Sequence, residues 1–89
     1  MGIMGVKIKI MPISPSVNLI QIEKKVKTLV EKNKGYNREY LIEPIAFGLN
    51  ALIAFFEWPE EKALEPFEEK IKAIKDVNSI QVIDMRKIA

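Results

Sequence analysis

Val6-Lys7-Ile8-Lys9-Ile10 alternates apolar and basic side chains, the period-two signature of a strand with one buried and one wet face. Met11-Pro12-Ile13-Ser14-Pro15 ends it, because each proline removes a donor and biases its neighbour toward extended backbone. Beyond this break the period changes. Leu19, Ile22, Val26, Leu29 and Val30 recur at helical spacing with charges between them, and Asn18 is placed to cap the helix with Gln21 completing a capping box. Asn33-Lys34-Gly35 closes it, Gly and Asn being the preferred left-handed residues at helix C-termini. Arg38–Ile45 and Leu49–Glu57 read as the next two strands, with Ala46, Phe47 and Gly48 between them as a hairpin loop. Past Pro59, the stripe Leu64, Phe67, Ile71 and Ile74 predicts a second helix. Pro66 fits its first turn, so the regular part is expected from about Glu65. Ser79–Lys87 reads as the last strand, centred on Ile80, Val82 and Ile83.

This order, βαββαβ, predicts an α+β fold of the ferredoxin-like kind: a four-stranded antiparallel sheet with both helices on one face. With 89 residues and no linker or repeat, a single domain spanning 1–89 is expected. The hairpin between the second and third strands is expected at the same end of the sheet as the end of the fourth.

Composition narrows the chemistry. There is no Cys, which excludes disulfides, thiolate metal sites and cysteine nucleophiles. There is no His either, so the usual general base near neutral pH and the commonest transition-metal ligand are both missing. That favours binding over catalysis. Net charge is +2, too small to argue for nucleic acid, but its distribution is uneven: +6 over residues 1–38 and −4 over residues 39–89. A Lys-rich first helix beside a Glu-rich second one would account for this by attraction along their edges. No apolar run approaches the ~18 residues of a membrane span, and the lysines near the N-terminus do not suit a signal peptide. No membrane association and a cytoplasmic location are expected.

Three activities hosted by this fold can be tested on their defining residues. An RNA-recognition module stacks bases on aromatics of its first and third strands. Here the first strand carries Lys7 and Lys9 and no aromatic, while the neighbours Phe55 and Phe56 must face opposite sides of the sheet. A copper or zinc carrier needs thiolates. An acylphosphatase-like enzyme needs an Arg-bearing phosphate loop after the first strand, where this chain reads MPISPSVN. The carboxylate neighbours Glu60-Glu61 and Glu68-Glu69 cannot share a helix face and read as solvated charges. No catalytic residue, cofactor or metal ligand is assigned, and direct nucleic-acid binding is not expected.

The stretch EPIAFGLNALIAFF, Glu43–Phe56, places a bulky Phe47 against Gly48 where the chain must turn. Turns normally take small or polar residues, so the ring is either part of the core or held out for a partner. Three segments bear on the choice: IKIMPISPSVNL (Ile8–Leu19), EPIAFGLNAL (Glu43–Leu52) and IQVIDMRKIA (Ile80–Ala89). Together they resemble the beta subunit of translation elongation factor 1 in its short archaeal form, over essentially the whole chain, with Pro-Ile-Ala-Phe-Gly the most specific run.

The resemblance implies a guanine-nucleotide exchange factor, not an enzyme, whose partner is the GDP-bound form of the GTPase elongation factor 1-alpha. The factor would disturb the magnesium and phosphate end of the nucleotide site so that GDP leaves and GTP rebinds. By match, an aromatic contact falls on Phe47 with Gly48. A basic residue reaching toward the magnesium site falls on Lys87, with Arg86 as the alternative and Ile88 alongside. Relatives often carry that cation next to last, whereas Ile88 and Ala89 follow Lys87 here. An RNA-binding role through Lys7, Lys9 and the basic first helix, or a small regulatory or dimerising module, stays open.

Overall fold

The alternation that opens the chain extends beyond its most regular part, and β1 covers Ile3–Pro12. The computed structural model describes residues 2–89, and the remaining elements follow as α1 (Leu19–Lys32), β2 (Tyr36–Pro44), β3 (Asn50–Pro59), α2 (Glu65–Lys72) and β4 (Val77–Lys87). The strands form one antiparallel sheet in the order β2-β3-β1-β4. This is the predicted ferredoxin-like βαββαβ arrangement.

One face of the sheet makes the core. Val6, Ile8 and Ile10 of β1 and Leu52, Ala54, Phe56 and Trp58 of β3 are buried beneath Ile22, Val26 and Val30 of α1 and Phe67 and Ile71 of α2. Phe56, Trp58 and Phe67 pack with ring centroids 4.6–6.0 Å apart. Such aromatic pairs add about 0.5–1.5 kcal/mol each beyond the area they bury. The Trp58 indole N–H is satisfied by the Lys62 carbonyl at 2.9 Å. Phe55, next to Phe56, lies on the open face as period two requires, with Lys7 Nζ 5.4 Å from its ring centroid.

Local signals are realised with instructive differences. Asn18 Oδ1 accepts from the Ile20 N–H at 3.0 Å. The reciprocal bond expected from Gln21 is not formed among the described residues, and Gln21 lines an inter-helix groove instead. At the other end of α1 the left-handed residue is Lys34 (φ 69°), not Gly35. The Lys34 and Gly35 N–H groups donate back to the Glu31 and Val30 carbonyls, closing a Schellman motif. Gly35 is required for space: a Cβ there would sit 2.8 Å from Val30 Cγ1 and 2.9 Å from the Glu57 carbonyl. Pro66 occupies the first turn of α2, which stops at Lys72, so Ile74 of the predicted stripe lies in the turn that follows.

Strand β4 carries a bulge that decides where its far end points. Opposite β1, Lys7 pairs with Asp84 and Ile8 with Val82, leaving Ile83 unmatched. Uninterrupted alternation from Ile80 and Val82 would send Asp84 and Arg86 into the core. The extra residue reverses the sense. Asp84 and Arg86 therefore stand on the open face opposite Lys7 and Gly5, and Met85 and Lys87 on the helix side opposite Val6 and Met4.

Candidate partner-binding site

The β2–β3 connection turns through Phe47 at φ 59° and Gly48 at φ 77°. Two successive residues with positive φ are what a type I′ turn demands. The Leu49 N–H closes it on the Ala46 carbonyl at 3.2 Å, and the Ile45 N–H donates to the Leu49 carbonyl at 2.7 Å. Gly48 meets the requirement without strain. Phe47 does not: a side chain in the left-handed region costs roughly 1–2 kcal/mol. Nothing in the core compensates, because the ring is 96% exposed.

The other predicted residues lie at the end of β4, with Arg86 and Lys87 as its last two residues and Ile88 directly after them. β4 is not frayed there. The Ile88 N–H donates to the Ile3 carbonyl at 2.9 Å, and the Ile3 N–H to the Ala89 carbonyl at 2.8 Å, so backbone pairing with the start of β1 continues past Lys87. Because of the bulge, the two cations part company. Lys87 Nζ lies 3.5 Å from Glu60 Oε2, in the loop after β3, whereas Arg86 pairs with Asp84 at 3.1 Å on the open face. Ile88 shares that open face and packs toward Phe55 over Gly5, whose missing Cβ would lie 3.4 Å from each of them. Gly5, Lys7, Phe55, Asp84, Arg86 and Ile88 line a shallow recess of about 220 Å³.

The hairpin and the end of β4 do not share one end of the sheet, contrary to expectation. Helix α2 carries the chain back to the hairpin end before β4 begins, so β4 runs in the direction of β3 and finishes at the opposite end. The pairings Pro44↔Asn50 at one end and Met4↔Trp58 and Met4↔Lys87 at the other show it directly. The eight steps of β3 from Asn50 to Trp58 alone span about 26 Å, in a molecule whose Cα atoms extend 42 Å along its long axis.

The family model for the EF-1 guanine nucleotide exchange domain matches residues 5–88. The chain belongs to the elongation factor 1-beta family. It is 40% identical over 86 residues to elongation factor 1-beta of Methanococcus aeolicus, covering 96% of this chain and 97% of that one. Elongation factor 1-beta of Methanosarcina barkeri is 37% identical over 89 residues, covering 99% and 100% of the two chains. Among solved structures, the C-terminal domain of the MgtC protein from Mycobacterium tuberculosis superposes with a TM-score of 0.75 at 10% identity, covering 98% of this chain and 89% of that one. That likeness concerns the fold alone.

Within the elongation factor 1-beta frame, the basic residues divide between two surfaces. Lys7 and Lys9 stand on the open face of the sheet, and the lysines of α1 belong to the layer on its other side. They do not merge into one patch for a polyanion. No group of three or more acidic side chains gathers to hold a metal ion among the described residues, and no helix is long and apolar enough to cross a membrane. Glu60, read from the sequence as a solvated charge, partners Lys87, and Glu69 partners Lys72 within α2. Sequence reasoning missed Glu60, Gly5 and Phe55 as neighbours of the tail. The Phe55-Phe56 doublet signalled an aromatic on the open face, but nothing local signalled which strand would lie beside it.

Proposed function

We propose that the protein is a guanine-nucleotide exchange factor for elongation factor 1-alpha, acting on its GDP-bound form during translation elongation without covalent chemistry. Phe47 is the binding anchor. An exposed aromatic ring offers a large apolar surface to a partner pocket, the usual property of an interface hot spot. Its exposure on a backbone held at φ 59° is the observation that carries the reading, because the fold bears a local cost there with no return in its own core.

Lys87 is the acting cation. Its ammonium is a compact point charge, better suited than a planar guanidinium to compete with a metal ion. Unit charges 4 Å apart interact by about 4 kcal/mol at an effective dielectric near 20, so an ammonium beside a divalent ion is repelled by about 8 kcal/mol. That is enough to weaken metal retention by orders of magnitude, and loss of Mg²⁺ loosens the phosphates of GDP. Strand pairing past Lys87 supports delivery of the charge from a rigid platform, whereas Arg86 is turned to the open face beside Asp84. The two ends then act as separate contacts on a partner large enough to reach both.

The test is release of a fluorescent GDP analogue from the cognate elongation factor 1-alpha, with wild type, Lys87→Ala, Arg86→Ala and Phe47→Ala. Acceleration by wild type, largely lost with Lys87→Ala at saturation and kept with Arg86→Ala, is expected. A folded wild type that leaves release unchanged would end the reading.

A further inference from the structure

The two helices were expected to attract each other along their edges, and they do not do so through ion pairs. Glu23 pairs with Lys27 inside α1 and Glu69 with Lys72 inside α2, and no ion pair joins the helices among the described residues. What faces across the gap is like charge. Lys24 and Lys25 of α1 and Lys70 of α2 line a groove of about 530 Å³ with a partly buried apolar floor that includes Leu29 and Ile74. None of the three lysines belongs to any of the ion pairs formed among the described residues. Lys25, Lys75 and Asp76 border an adjoining recess of about 240 Å³ toward the start of α1, so the carboxylate tempers the charge there and the uncompensated basic rim is that of the larger groove.

We infer that this inter-helix groove is a docking site for an acidic amphipathic helix of another protein. The floor is apolar and the rim is cationic, so the complementary occupant presents an apolar stripe flanked by Glu or Asp, in the helix-in-groove mode of recognition. Convergent lysines repel one another, and an acidic rim laid between them turns that repulsion into attraction. The groove-lining residues include no aromatic on which a base could stack, and a phosphate backbone would leave Leu29 and Ile74 without an apolar partner. Those features favour a peptide over a nucleic acid. The site lies in the helical layer and uses neither Phe47 nor Lys87, so it is independent of the exchange reading.

The test uses a labelled synthetic helix of about 18 residues, with leucines at helical spacing and glutamates flanking them, titrated into the full chain and followed by fluorescence anisotropy and amide NMR shifts. Matched Leu/Gln and Leu/Lys helices and a single-stranded RNA oligonucleotide serve as comparisons. The Leu/Glu helix is expected to bind best, to weaken with added salt, and to shift the amides of Thr28, Leu29, Ala73 and Ile74. Lys24→Glu/Lys25→Glu/Lys70→Glu, all exposed positions, should keep the fold by NMR and weaken binding about tenfold or more. Phe47→Ala and Lys87→Ala should bind the helix as wild type does. Absence of groove shifts, equal binding of the Leu/Lys helix, or stronger binding of the RNA would each overturn the assignment.

Discussion

Phe47 and Lys87 stand at opposite ends of the same sheet, one at the β2–β3 turn and the other where β4 runs out beside Met4. No side chain of either can touch the other, and no packed residue is shared between them. Changes at sites this far apart are additive to within about 0.3–0.5 kcal/mol. In nucleotide-release assays, Phe47→Ala is therefore expected to raise the concentration of factor needed, and Lys87→Ala to lower the rate at saturation. The double variant should show the product of the two effects. Strong non-additivity would mean that the two ends act as one element.

The left-handed backbone at Phe47 leads to a prediction with opposite signs for stability and function. Asn tolerates positive φ better than Phe, and the Phe ring gives almost no burial in return. Phe47→Asn is expected to stabilise the fold by about 1 kcal/mol, raising Tm by about 4–8 °C, while nucleotide release becomes less efficient. Loss of stability in thermal unfolding would show that the ring packs in solution.

Neighbouring positions at the end of α1 should respond in opposite directions. Lys34 occupies the left-handed site at φ 69°, so Lys34→Gly relieves strain and is expected to stabilise by up to about 1 kcal/mol. Gly35→Ala drives a methyl against Val30 and the Glu57 carbonyl and should cost about 1–3 kcal/mol. Urea unfolding of the two variants checks both signs. A stabilising Gly35→Ala would contradict the contact geometry.

Tyr40 supplies a pH dependence. Burial pushes its phenol pKa up, with Glu23 and Glu31 adding to the shift, and its hydroxyl donates to Asn37 Oδ1. A folded pKa above the unfolded value of about 10 means that the native state holds its proton more tightly. The associated stability is fully present below pH ~10 and declines as the pH rises above it. Tyr40→Phe should be less stable at neutral pH by about 1 kcal/mol for the lost hydrogen bond and should fall less steeply in alkali. Parallel alkaline profiles for the two proteins would remove Tyr40 as the source.

Much of this was legible locally. Apolar periods of two and 3.6 located all six elements, and Pro66 and Asn18 marked helix starts, because these signals act through neighbours a few residues away. The strangeness of Phe47 beside Gly48 could also be seen in the chain. Its reason could not, since exposure depends on what the rest of the fold brings near, and both residues turned out to have positive φ.

The order and identity of residues determined the βαββαβ pattern, the core stripes and the elongation factor 1-beta family, all of which follow from side-chain chemistry repeated along the chain. Three things depended on pairing across it. Helix α2 returned the chain before β4 began, which set the hairpin and the tail at opposite ends. A bulge at Ile83 exchanged the faces of Arg86 and Lys87 and brought Lys87 to Glu60. Helix packing turned lysines, not an acid–base seam, toward the gap between α1 and α2. Each is a matter of register and direction, which hydrogen bonds between distant segments decide and local composition does not encode.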